Sequence, residues 1–201
     1  MARPIEFDRK AARDRAMRLF WSHGYQGAGL TDLLETMEIS RSSFYAAFGD
    51  KRRLFLECLD HFADNTVARL KGPSGSGEPL RVLERFFEQD ALPIQGEERT
   101  WGCMLVNTVV EMAEVDEGLR SHAAQRLIDV EEAFQSLLIK AGWTADAAPD
   151  YAAFLMLLNE GLRVSSRQGM PLAAQKRQVA LIFDMLKSSL PQTPTLEARA
   201  Q

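Results

Sequence analysis

Residues 24–51 read GYQGAGLTDLLETMEISRSSFYAAFGDK, and this stretch decides the fold. It spells two short helices joined by a tight turn at Glu38-Ile39-Ser40. Leu33, Leu34 and Met37 give the first an inward face. Phe44 and Phe48, four apart, give the second its own. Ser40 is a good N-cap for that second helix, and Ser42 and Ser43 keep its N-terminus small. A helix with a small, polar N-terminus can enter a major groove, and its free N–H groups favour phosphate. Arg41 has the reach for guanine O6 and N7 or for a phosphate oxygen. Tyr45 projects its hydroxyl from the same helix, and Lys51 opens the next one; both suit phosphate oxygens. Phe44 and Phe48 are packing residues, and Asp50 is a helix cap.

Working outward, helical periodicity recurs on both sides of this stretch, and no convincing period-2 alternation is found. Ala12, Ala16, Leu19 and Phe20 form a stripe on a first helix that Gly24 ends. Asp50 caps a fourth helix from Lys51 to about Leu70, with Leu54, Phe55, Cys58, Leu59 and Phe62 on one face. The Gly-Ser-Pro-rich stretch from Lys71 to Pro79 is the best internal boundary. Beyond it the pattern predicts helices at about 80–91, 101–114, 116–141, 148–168 and 172–190, with a flexible tail after Pro191. The expected architecture is all-α, with a DNA-binding head at 1–50, a connecting helix at 51–71 and a helical body at 80–190.

Two late helices carry more apolar surface than one chain needs. Phe154-Leu-Met-Leu-Leu158 is apolar on every side of its helix, and Val179, Ile182, Phe183, Leu186 and Leu190 stripe the next. Paired by the tight Gly169-Met-Pro171 turn, they make a natural half of a four-helix dimer interface. Phe154, Leu155, Leu158, Leu162, Val179, Ile182, Phe183 and Leu186 are the expected contacts in a homodimer. The alternative is that both helices close the chain's own core.

The net charge is −4, unevenly spread: residues 1–55 sum to +3 and the remainder to −7. A basic end suits phosphate, although a solvated basic helix explains it equally well. No apolar run is long enough to span a membrane, and Met1–Lys10 has no secretory pattern. The two cysteines form no CxxC, and His23, His61 and His122 are scattered. Neither a metal site nor a cofactor is expected, and a reducing, cytoplasmic setting fits.

The head resembles the DNA-binding region of the TetR family of repressors. The matching positions are Leu19-Phe20, Gly24-Tyr25, Asp32-Leu33, Ile39-Ser40, Phe44-Tyr45, Phe48 and Lys51 with Leu54-Phe55. The resemblance implies a nine-helix fold whose last two helices build the dimer. It implies repression at double-stranded operator DNA, relieved when an inducer moves the fourth helix and spreads the two heads. It places Arg41, Ser42, Ser43 and Tyr45 on DNA from the recognition helix and Lys51 on phosphate. One departure stands out. The family usually has a hydroxyl residue before the second helix, where this chain has Ala28-Gly29; Thr31, two residues on, is the candidate substitute.

The signal must enter through the body. On the helix expected at 101–114, Cys103 lies near the N-terminus, where the helix dipole favours thiolate, and Asn107 and Glu111 continue a polar line. Trp101 and Met104 lie beside them. Cys103 is thus a candidate sensor of electrophiles or oxidants, against the alternative of a small core residue; some TetR-like repressors that respond to such agents have a comparable cysteine. Cys58, within an apolar stripe, reads as core. The competing reading is a reversible small-molecule pocket with Asn107, Glu111, Asn159 and Arg163 as its polar groups, or a closed Glu111–Arg163 pair in its place. A thiol enzyme built on Cys103 would need a base within reach; no histidine lies near it in sequence, although His122 could approach in space, and residues 24–51 would be left unexplained. A helical interaction module without a DNA role fails on the same stretch.

Overall fold

The computed structural model describes residues 7–71, 78–90 and 100–190. These form nine α-helices and a short π-helical turn: α1 (Arg9–Gly27), α2 (Leu30–Met37), α3 (Arg41–Phe48), α4 (Lys51–Lys71), α5 (Pro79–Arg85), α6 (Met104–Met112), α7 (Glu117–Lys140), α8 (Ala148–Arg167) and α9 (Leu172–Ser188). Most of the Gly-Ser-Pro-rich break and the tail after residue 190 lie outside the described residues. No described helix is long and apolar enough to cross a membrane.

Local signals set the helix starts. Asp8 accepts from the N–H groups of Lys10 and Ala11 to cap α1. Ser40 Oγ takes the Ser43 N–H at 3.1 Å to cap α3, and Asp50 takes the Arg53 N–H at 2.8 Å at the head of α4. Asp116 caps α7 through the Leu119 N–H. At α2 the cap residue is Gly29, and Asp32 reaches back to its N–H at 3.2 Å. Two expectations shift. Gly24 does break α1, at φ 77° and ψ 176°, but three more helical residues follow it. The helix expected at 80–91 is α-helical only to Arg85; Phe86–Asp90 widens into a π turn. That turn brings Phe86 and Phe87 together inward against Phe134, at ring separations of 5.4 and 5.7 Å.

Two apolar clusters result. The first joins the head helices to α4, and it also takes in Cys103, Met104, Leu105 and Met112 at α6 and Leu119 and Ala123 of α7. The second packs the far end of α4 with α5, α7, α8 and α9 around Phe87, Phe134 and Phe183. Body helix α6 therefore shares its core with the head, and α7 runs through both clusters.

The dimer residues named from sequence divide. Leu155, Val179 and Phe183 are fully buried, and Leu162 and Leu186 nearly so, all within this chain's own core. Phe154 is exposed, and Leu158 and Ile182 are half-buried. The outward apolar face is instead Phe154, Leu157 and Val164 on α8 with Leu181 and Met185 on α9.

Candidate nucleic-acid interface and its junction with the body

Helix α3 presents one face to the core and the other outward. Phe44 and Phe48 are buried, while Ser40, Arg41, Ser42 and Tyr45 are exposed and Ser43 is half-buried. Ser40 Oγ lies 2.9 Å from both Ser42 Oγ and Ser43 Oγ, so the three hydroxyls form one polar knot at the helix N-terminus. The Arg41 side chain is exposed on the first turn of α3. Tyr45 stands edge-on to Phe44 at 5.4 Å, which fixes the ring while nearly half its surface faces solvent. Thr31 is exposed on the first turn of α2. Arg9 stiffens this platform. It clasps Glu57 at 2.7 Å through two nitrogens, donates to the Ala47 carbonyl, and lies over the Phe48 ring at 4.6 Å.

Lys51 is half-buried, and its Nζ lies 4.6 Å from the centre of the Tyr25 ring. Burial pulls its pKa below the ordinary lysine value, and the nearby Glu111 carboxylate pushes back.

The sensor and ligand residues named from sequence do not assemble into one pocket. Cys103 is the N-cap of α6, 3% exposed, and its side chain makes no capping bond. Asn107 donates to the Trp101 carbonyl at 2.7 Å, closing the strap before α6. Arg163 donates to Asn159 at 3.1 Å and to the Gly102 carbonyl at 3.2 Å. Glu111 does not pair with Arg163; it reaches the head and accepts the Tyr25 and Gln26 N–H groups at 3.0 and 2.8 Å. Trp101 lies on the head, 5.5 Å from Trp21 and with Arg18 over its ring. Each of these polar groups thus has a hydrogen-bond partner within the protein. A groove of about 360 Å³ lies elsewhere, between α8 and α9 beside Phe154, Ile182 and Met185.

Sequence reasoning missed the contacts that seat the head on the body. Trp21 Nε1 donates to the Gly102 carbonyl at 3.2 Å, so that carbonyl serves α1 and α8 together. Arg52, at the start of α4, grips the α7 cap residue Asp116 at 3.1 Å. Farther up, His122 and Arg126 of α7 meet Asp60 of α4, and Arg126 also meets Asp64. His61 lies 3.2 Å from Asp14.

Two family models match the chain. Residues 13–58 match the model for bacterial regulatory proteins of the tetR family, and residues 79–176 match the C-terminal domain of LmrA/YxaF-like transcriptional regulators. The uncharacterized HTH-type transcriptional regulator YezE of Bacillus subtilis is 30% identical over 145 residues, covering 70% of this chain and 73% of its own. The chain belongs to the TetR family of transcriptional regulators. It is a DNA-binding regulator rather than an enzyme. The transcriptional repressor ComR of Escherichia coli K12 is 28% identical over 174 residues, 83% of either chain. Among solved structures, the TetR-family regulator CifR, as a cysteine mutant complexed with 26-base-pair operator DNA, superposes with a TM-score of 0.70 at 27% identity, covering 90% of this chain and 98% of its own. The reduced form of NemR from E. coli shares the fold, with a TM-score of 0.73 at 19% identity, over 93% of this chain and 98% of that one.

Proposed function

We propose that this TetR-family chain is a homodimeric repressor that binds double-stranded operator DNA through α3 and leaves it when an effector acts on the body. Its place of action is then the cytoplasm, with its DNA. The observation that carries the reading is the outward face of α3, where Arg41 and Tyr45 project from a polar N-terminus while Phe44 and Phe48 lock the helix to the head. In this reading Arg41 reads a base edge or clamps a phosphate; Ser40, Ser42, Ser43, Tyr45, Thr31 and Lys51 fix register on the backbone. Repression is supported by ComR, a repressor over most of the same length, and operator binding by CifR, solved on its operator.

The dimer forms across the outward face of α8 and α9. Phe154, Leu157, Val164, Leu181 and Met185 are each 46% exposed or more, and the α8–α9 groove continues that surface. Contiguous apolar surface of this kind marks an interface.

For the effector, Cys103 is favoured by position: it opens α6 inside the cluster shared with the head, so bulk or charge added there would wedge α6 from α1. Its burial requires that α6 open before reagent reaches it. The test is selection of duplexes from a random pool by the purified protein, followed by binding with and without N-ethylmaleimide on wild type and Cys103→Ser. Sequence-selective binding that Arg41→Ala relaxes supports the head reading; binding lost on thiol modification only in wild type assigns the sensor. A protein that enriches no sequence refutes the reading, and equal loss in both proteins refutes Cys103.

A further inference from the structure

At Gly24 the backbone leaves helical geometry, so Tyr25 and Gln26 begin a new turn whose N–H groups have no carbonyl one turn back. Such a start needs an acceptor, usually a local Ser, Asp or Asn. None is used here. The acceptor comes from 86 positions down the chain: Glu111 Oε2 takes the Tyr25 N–H, and Oε1 takes the Gln26 N–H. The fit depends on glycine, since a Cβ at residue 24 would lie 2.6 Å from Glu111 Oε2. Tyr25 in turn lays its ring against the Lys51 ammonium. Helix α6 thus touches α1 at two levels, through Gly102 with Trp21 before its first turn and through Glu111 with the kink in its last.

We propose that Glu111 is a positioning residue for DNA binding: from the body it fixes the end of α1 and, through Tyr25, holds Lys51 at the phosphate. A displacement of α6 is then felt at the DNA surface directly through α1, in addition to any movement of α4. The proposal rests on Lys51 as a phosphate contact and adds the body residue that governs it. A carboxylate taking two backbone N–H groups is a charge-assisted arrangement, stronger than a neutral bond and lost as a unit when α6 shifts.

The test uses the full chain and a duplex enriched by the wild-type protein. Glu111→Gln keeps the side-chain length but turns an amide NH2 toward one of the two N–H groups. The expected result is operator binding weakened about tenfold, the scale of one lost charge-assisted bond. Amide exchange at Tyr25 and Gln26 should rise about tenfold while α3 amides stay protected. Lys51→Ala should cost clearly less in the Glu111→Gln background than in wild type, since the lysine is already released. Gly24→Ala, which pushes the carboxylate away from the other side, should show the same loss of coupling. Wild-type affinity in Glu111→Gln, or strictly additive effects of Glu111→Gln and Lys51→Ala, would overturn the proposal. Failure of the phosphate reading looks different: Lys51→Ala alone would then bind as wild type.

Discussion

Replacing Leu157 with Glu separates the outward face of α8 from its inward one. Leu157 is 69% exposed in the single subunit, beside Phe154 at 46% and Val164 at 47%, with Leu181 at 61% and Met185 at 63% on α9. Fully burying a leucine is worth about 1.5–3 kcal/mol, so covering the exposed two-thirds of Leu157 contributes about 1–2 kcal/mol per subunit. Two-fold symmetry doubles that to about 2–4 kcal/mol. Glutamate removes this term and brings two carboxylates among the apolar side chains of Phe154, Val164, Leu181 and Met185, at a further cost of a few kcal/mol. A total of at least about 4 kcal/mol raises the dimer dissociation constant roughly 10³-fold. Sedimentation equilibrium across nanomolar to micromolar concentration reads this directly, with circular dichroism to show that each subunit keeps its helices. The control is Leu155→Glu, at a site 0% exposed in the subunit's own core, which should unfold the chain rather than split it. An unchanged dissociation constant for Leu157→Glu, or a loss of helix equal to that of Leu155→Glu, refutes the assignment of this face.

Other consequences follow from single contacts. Gly24→Ala forces a side chain into φ 77°, ψ 176° and against Glu111, so it should cost about 1–3 kcal/mol in denaturant unfolding; stability equal to wild type would show that the kink relaxes freely. Cys58 is enclosed within the first core cluster, and burial pushes its thiol well above the ordinary range, so native-state maleimide labelling should reach Cys103 first; faster reaction at Cys58 would contradict the packing. The Arg52 guanidinium, and then the Leu119 N–H, hold the Asp116 carboxyl below its ordinary value. A depressed folded value means stabilisation that is complete above the ordinary carboxylate range and lost as pH falls through the folded value. The melting difference between wild type and Asp116→Asn should therefore be constant from pH 7 to about pH 5 and shrink below about pH 4. Glu117, held down to about 2 by Arg120 and then by Ser121, stays charged over most of that range and does not produce the loss. A difference that persists undiminished to pH 2.5 would remove Asp116 from the head–body contact.

Short-range chemistry made the head legible. Ser40 and Asp50 cap the helices they precede, and Phe44 and Phe48 share the buried face that their spacing requires. The run Phe154–Leu158 was harder to read, because an apolar residue looks the same whether it faces its own core or another subunit. The helical period divides the run, sending Leu155 and Met156 inward and Phe154 and Leu157 outward. Only the positions of α5, α7 and α9 decide which side is which. The partners of the polar line on α6 are not legible in sequence for a further reason. Asn107 turns back to the Trp101 carbonyl and Arg163 is taken up by the Gly102 carbonyl, while Glu111 finds two N–H groups freed by a glycine. In each case one partner is main chain, which every residue type carries alike, so no pairing rule between side chains can find it. The contacts of α1 with α6 and the strap before it are built this way, beside side-chain pairs such as Arg52 with Asp116. Trp21, Arg163 and Glu111 announce only that each needs a partner, and the backbone path at Gly24 and Gly102 determines where that need is met. A relative that kept Glu111 but placed a larger residue at position 24 would therefore lose the contact while keeping its visible half. Coupling between body and DNA in this chain should accordingly depend on Gly24 and Glu111 as a pair.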